Sequence, residues 1–322
     1  MNHRIRIAAL LAAALSPLAS AHAQDAPLPK TIKIVVPFSP GGSNDLFARA
    51  LGQKLASRWG VPVVVDNRPG AGGTIGAQAV ANAEPDGGTL LLNSVSFTTN
   101  AAVQPRLPYD PIKSFAPVAL LNRGPMLLIA GNATGYRSTA DVLAAIRSPK
   151  KDVNYGSAGP GSIGQLAGEL LNATTGGQAV HVPYKGIANA TADMIGGNLQ
   201  VMVTTAASVA GPLKAGSLRP IAVTSAERSR FMPDLPPVSE TVKGYTVESW
   251  WGIFAPAKTP RPLVDRLNAE IRAIADTPEM RELFARESTE PGNLSADRFA
   301  AYVQAEVVKW RTLARERNIT VD

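Results

Sequence analysis

The chain has no cysteine. Disulfides, thiolate metal sites and cysteine nucleophiles are therefore excluded, and so is a lipid anchor on a cysteine behind a leader. Histidine is almost as scarce, with His3, His22 and His181 the three among 322 residues. His181 alone lies beyond the leader described below, so a multi-histidine zinc site is excluded and Ser–His–Asp chemistry has one imidazole to draw on. Long apolar runs are missing too. Residues 8–18 are apolar apart from Ser16 and Pro17, well short of the about 20 residues a bilayer-spanning helix needs.

What that N-terminal stretch does resemble is an export signal. Arg4 and Arg6 form a positive start, the apolar run follows, and Ala21-His22-Ala23 places small residues where a signal peptidase reads them. Cleavage is expected before Gln24, leaving a periplasmic protein with no lipid anchor. Net charge is +7 for the whole chain and +5 without Arg4 and Arg6. A mildly basic balance suits anionic small molecules, while export argues against a nucleic-acid partner. About 300 residues suffice for two domains with cores that need no crosslinks.

The hydrophobic pattern alternates strand and helix. Residues 33–38, 61–65 and 89–93 read as strands, and residues 44–59 and 75–83 as helices between them, which predicts a parallel α/β sheet. Residues 117–130 read as one long strand leaving the first lobe. A second alternation follows, with strands at 153–155, 180–183, 201–204 and 221–224 and helices at 139–147, 163–173 and 188–195. Residues 250–255 read as a strand crossing back, and helices are expected at 260–274, 279–287 and 296–315. The expected division is residues 24–124 plus 250–322 for the first lobe and 125–249 for the second. A cleft between two lobes is a favoured ligand site.

Two loops carry similar chemistry at corresponding places. Phe38-Ser39-Pro40-Gly41-Gly42-Ser43-Asn44-Asp45 ends a strand and opens a helix, and Tyr155-Gly156-Ser157-Ala158-Gly159-Pro160-Gly161-Ser162 does the same. Glycines let backbone N–H groups approach a ligand, and the first N–H groups of a helix favour an anion. The alternative is that the glycines merely close a tight turn. Asp45 either caps the helix or orients the loop. The candidate ligand-binding residues are Phe38, Gly41, Gly42, Ser43, Asp45 and Ser94 in the first lobe, with Ser157, Gly161, Ser162 and Thr204 in the second. No catalytic residue, metal ligand or cofactor is expected. Residues 70–76 lack the last glycine of a dinucleotide fingerprint, since Ile75 occupies its place. His181 reads as structural, and Lys185 as either an anion support or a solvated strand end.

The motif at residues 33–45 (KIVVPFSPGGSND) resembles the opening signature of the Bug family, the periplasmic binding proteins of tripartite tricarboxylate transporters. The likeness continues through residues 64–73, 85–87, 108–111, 159–162, 181–186, 235–237 and 251–252. The resemblance implies a two-lobe, type II periplasmic-binding fold that closes like a flytrap. It implies a small organic acid as ligand, often a dicarboxylate, and a membrane permease as partner. A monomer is expected. The family often has acidic residues around 197–205, where this chain has the neutral Gln200 and Thr204. That argues against an amino acid and for a plain mono- or dicarboxylate, aromatic ones included. The alternative reading is a sensory protein that presents the same ligand to a membrane kinase.

Overall fold

The computed structural model describes residues 28–150 and 153–321; the expected leader, residues 1–23, lies outside the described residues. Among the described residues, no helix is long and apolar enough to cross a membrane. The first run of elements is β1 (Ile32–Val36), α1 (Ser43–Trp59), β2 (Val63–Asn67), α2 (Thr74–Ala81), β3 (Thr89–Ser94), α3 (Ser96–Val103) and β4 (Phe115–Pro125). The chain then continues as β5 (Leu127–Gly131), α4 (Thr139–Ile146), β6 (Asn154–Ser157), α5 (Ile163–Thr175), β7 (Val180–Pro183), α6 (Ile187–Ile195), β8 (Val201–Thr204), α7 (Ala210–Lys214) and β9 (Leu218–Val223). It returns through β10 (Glu248–Pro256), α8 (Arg261–Ala275), α9 (Pro278–Arg286), β11 (Glu290–Pro291) and α10 (Ala296–Glu316).

Two sheets result, ordered β11-β4-β10-β3-β1-β2 and β7-β6-β8-β5-β9. The expected parallel core is present in each: β1 pairs in parallel with β2 and β3, and β6 with β7 and β8. The strand arriving from the other lobe is inserted antiparallel, β10 between β3 and β4, and β5 between β8 and β9. The single long strand expected over 117–130 is two strands, because the chain changes sheets at Met126.

Helix α3 forms where the sequence pattern predicts no element. Its sequence, SFTTNAAV, is rich in hydroxyl and β-branched residues that are poor helix formers. Tertiary packing overrides that preference: Phe97 is buried with its ring 4.6 Å from Phe254 and 5.2 Å from Phe115. Helix α10 serves both lobes. Phe299 and Val303 pack with Trp250 and Phe254, while Trp310 and Leu313 pack with Tyr155, Leu166 and Tyr245.

Strand direction fixes what faces the interlobe space. Because β10 is antiparallel to both β3 and β4, β4 runs the same way as β1 and β3. Its C-terminal end leads directly into β5, whose first residue, Leu127, pairs with Thr204 at the end of β8. The C-terminal edges of the two parallel cores therefore meet at the crossing. Ligands in open α/β sheets bind outside that edge.

Candidate functional site: two helix starts on facing edges

On the first lobe's edge, the loop between β1 and α1 is shaped by Asp45. Its carboxylate accepts the Gly41 N–H at 3.0 Å, the Arg49 guanidinium at 3.0 Å and the Asn67 amide at 3.0 Å. Asn67 Nδ2 also donates to the Phe38 carbonyl at 3.1 Å. The Arg49 hydrogen bond above all, with the Gly41 and Asn67 contacts added, holds the Asp45 carboxyl below the usual carboxylate range, although burial opposes this. Asp45 and Gly41 are thus committed to one another, and Asp45 orients the loop. The Phe38 ring lies against Gly73, where an added Cβ would come within 3.3 Å of it.

This clamp leaves the helix start open. Gly42 is the N-cap of α1, and the N–H groups of Gly42, Ser43 and Asn44 have no acceptor among the described residues. Nothing lies within 4 Å of a Cβ built on Gly41 or Gly42. Free N–H groups and the positive end of a 17-residue helix favour a carboxylate at that place. The Ser43 hydroxyl is bound elsewhere, donating to Glu287 Oε2 at 3.0 Å. Ser94, buried at the end of β3, shares its hydroxyl with Ser96 at 2.9 Å.

On the second lobe's edge, most of the candidate groups hold the loop itself. Ser157 is fully buried, with its hydroxyl 2.7 Å from His181 Nε2 and accepting the Gly159 N–H at 3.1 Å. The Gly161 N–H donates to Gln165 Oε1 at 2.7 Å, and an added Cβ there would meet Val103 at 2.8 Å and Val321 at 3.3 Å. Ser162 caps α5, accepting the Gln165 N–H at 3.4 Å and donating to the Gly159 carbonyl at 2.6 Å. Thr204 differs. It is buried at the end of β8, and its hydroxyl has no hydrogen-bond partner among the described residues. No hydrogen bond joins residues 37–45 to residues 157–162 among the described residues, so the space between the loops is unbridged.

A third helix start, not among the candidate residues, lies on this edge. Gly186, with φ of 101°, caps α6 and bonds through its N–H to the Ala158 carbonyl at 3.3 Å. That bond ties the start of α6 to the α5 loop. The signal was present in the His181–Gly186 motif, whose glycine takes the left-handed conformation that other residues avoid.

Ser157 and His181 form a pair, but not a hydrolytic one. The serine is inaccessible, and no carboxylate among the described residues is hydrogen-bonded to the imidazole. Burial holds His181 below its ordinary range, against the pull of Glu169. A cavity of about 340 Å³ at the hinge includes none of the loop residues. Its arginines are already matched, Arg123 with Glu248 at 3.6 Å, Arg230 with Glu290 at 3.5 Å and Arg228 with Glu240 at 3.3 Å, so an anion there would have to break a pair.

Comparison with known proteins places the chain among relatives of the same fold. Residues 47–319 match the family described as "Tripartite tricarboxylate transporter family receptor". The chain is similar to the protein BugT of Bordetella pertussis, 30% identical over 290 residues, with 89% of each chain covered. It is similar in structure to Rpa4515 of R. palustris with adipate, at 32% identity and a TM-score of 0.77, covering 90% of this chain and 98% of that one. MatC of Rhodopseudomonas palustris with bound malate follows, at 30% identity and a TM-score of 0.73, covering 88% and 98%.

Proposed function

The chain belongs to the tripartite tricarboxylate transporter receptor family, whose members bind solutes rather than catalyse reactions, and we propose that it captures a small carboxylate between its lobes and delivers it to a membrane permease. The observation that carries this reading is the set of uncommitted donors on the facing edges: the N–H groups of Gly42, Ser43 and Asn44 on one side and the Thr204 hydroxyl on the other. They are neutral, so they stabilise an anion without a buried lysine or arginine that would itself need desolvation. Relatives with bound adipate and malate support the ligand class.

The protein acts in the periplasm after cleavage before Gln24. Residues 24–124 plus 250–322 and residues 125–249 are the two bodies that close. One copy suffices, because both halves of the site come from the same chain. A ligand shared by two edges gives the closed state contacts that the open state lacks, so binding should shift the population toward closure. A thermal-shift screen of organic acids finds the ligand, since an acid that binds only the folded state raises its stability. Small-angle scattering at saturation should then show a smaller radius of gyration; no stabilising acid, or an unchanged profile with a confirmed one, would contradict the reading.

A further inference from the structure

We infer that the concave face between residues 104–111 and the exposed side of α10 is the docking surface for the membrane permease, taking an acidic segment that also carries apolar side chains; this rests on the transport reading above. Two adjoining cavities of about 450 Å³ each form the face, and they share Gln104 and Pro105. One continues along Tyr109 and Asp110 to Arg311 of α10. The other is lined by Arg106, by Ala71 and Gly72 of the loop after β2, and by Val321. Val321 lies against Gly161 of the second lobe's loop, since a Cβ added there would come within 3.3 Å of it. The face therefore borders the interlobe space, and a partner seated on it stands beside the cleft from which the ligand is handed over.

Charge says what the face takes. Many arginines elsewhere on the surface are ion-paired, as Arg49 is with Asp45, Arg261 with Asp297 and Arg281 with Asp276. Arg106, Arg311 and Arg315 are exposed and make no ion pair among the described residues. Arg311 commits its Nε to the Ala101 carbonyl at 3.1 Å, and Arg315 lies one helical turn beyond it on α10. Asp110, the one carboxylate on either lining, accepts the N–H groups of Ile112 at 2.8 Å and Lys113 at 3.0 Å. Three exposed cations thus stand against one committed acid. Apolar groups stand among them: Val308, one turn before Arg311, is 59% exposed and Ile112 is 36% exposed. Arginine mixed with apolar surface suits an acidic segment of a protein partner. The face is also rigid. Pro105, Pro108 and Pro111 fix φ along it, and the buried Tyr109 ring lies 6.3 Å from Phe97 and edge-on to Phe115 at 5.3 Å. A surface ordered beforehand loses little entropy on binding. Its concavity favours a peptide segment over a bilayer, which takes side chains that protrude into it.

The test uses host cells deleted for the chain's gene and complemented with the parent or with variants. One variant combines Arg106→Gln, Arg311→Gln and Arg315→Gln; the other is Arg106→Glu alone. Uptake of radiolabelled succinate, malate, glutarate and adipate is measured, beside each purified protein's melting temperature and its affinity for the same acids by calorimetry. For an acid that the parent binds, the triple variant should lose roughly tenfold or more in uptake, and Arg106→Glu roughly threefold or more, at unchanged affinity. Arg106→Glu decides alone if loss of the Arg311 bond to Ala101 lowers the melting temperature of the triple variant. Full uptake in both variants overturns the inference and leaves the transport reading standing. Uptake lost together with affinity also overturns it, because the arginines would then act on the ligand. So does binding of the parent to phosphatidylglycerol vesicles, or a parent dimer by light scattering, that the triple variant abolishes, since the face would then serve a membrane or a second copy. If the parent neither binds nor transports any of these acids, both readings fail.

Discussion

The hydroxyl of Thr224 donates to the carbonyl of Val247 at 2.6 Å, joining the two strands of chain that pass between the lobes. The same oxygen accepts the Met126 N–H at 2.9 Å, at the point where β4 becomes β5. Thr224 is fully buried, so neither backbone group has water as an alternative partner. Thr224→Val keeps the shape and removes both bonds. It should cost about 1–3 kcal/mol for each group left unsatisfied, whereas Thr224→Ser should retain most of the stability. Chemical denaturation of the three proteins checks this; equal stability of Thr224→Val and the parent would show that the hydroxyl is dispensable at the crossing.

The α10 helix should transmit damage to the second lobe. Trp310 is fully buried among second-lobe residues, with its indole N–H donating to Glu306 at 2.9 Å. Trp310→Ala should cost about 3–5 kcal/mol, the usual range for emptying a large aromatic site. Hydrogen exchange should quicken in α5 and β6 more than in β1 and α1. Faster exchange confined to the first lobe would mean that the helix belongs wholly to that lobe.

Acid should weaken the protein through His181. Burial, the larger influence, lowers its folded-state value below that of the unfolded chain. Above the unfolded value, near 6.5, both states are neutral and the shift has no effect. As pH falls from there through the lowered folded-state value, the unfolded state gains a proton first, so stability declines. Glu248 works the other way, because burial raises its carboxyl and favours the folded state as pH falls. The contrast between the parent and His181→Gln isolates the histidine. The parent should lose more stability than His181→Gln between pH 7 and 5, and parallel pH profiles would rule the effect out.

Much of this architecture could be read from the residues. The β-branched run before Pro37 and the glycines after it announced a strand, a loop and a helix start, and β1 and α1 follow within two residues at each end. The same pattern marked β6 and α5. Three things were not legible. Helix α3 forms against local preference because aromatic packing around Phe97 decides its state. The sharing of α10 between cores depends on which face meets which lobe, and one helical stripe does not say that. The commitments of Ser43 to Glu287 and of Gly161 to Gln165 also escaped the sequence reading. The first joins residues 244 positions apart, and nothing in a single sequence connects them.

The central claim is that an anion sits on the start of α1, and Gly42 offers the cleanest way to ask. Its φ of −86° and ψ of 173° are ordinary extended values that alanine adopts without strain. Nothing in the protein lies within 4 Å of the Cβ that alanine would add, so the fold has no reason to object. A bound carboxylate would have reason, because the methyl would occupy the approach to the free N–H groups. Losing one hydrogen bond to a charged acceptor costs about 1.5–3 kcal/mol, or roughly tenfold and upward in affinity. The decisive measurement is therefore calorimetry of Gly42→Ala with an acid that stabilises the parent, alongside its melting temperature. The account predicts at least a tenfold loss of affinity at an unchanged melting temperature; an unchanged affinity would place the ligand elsewhere.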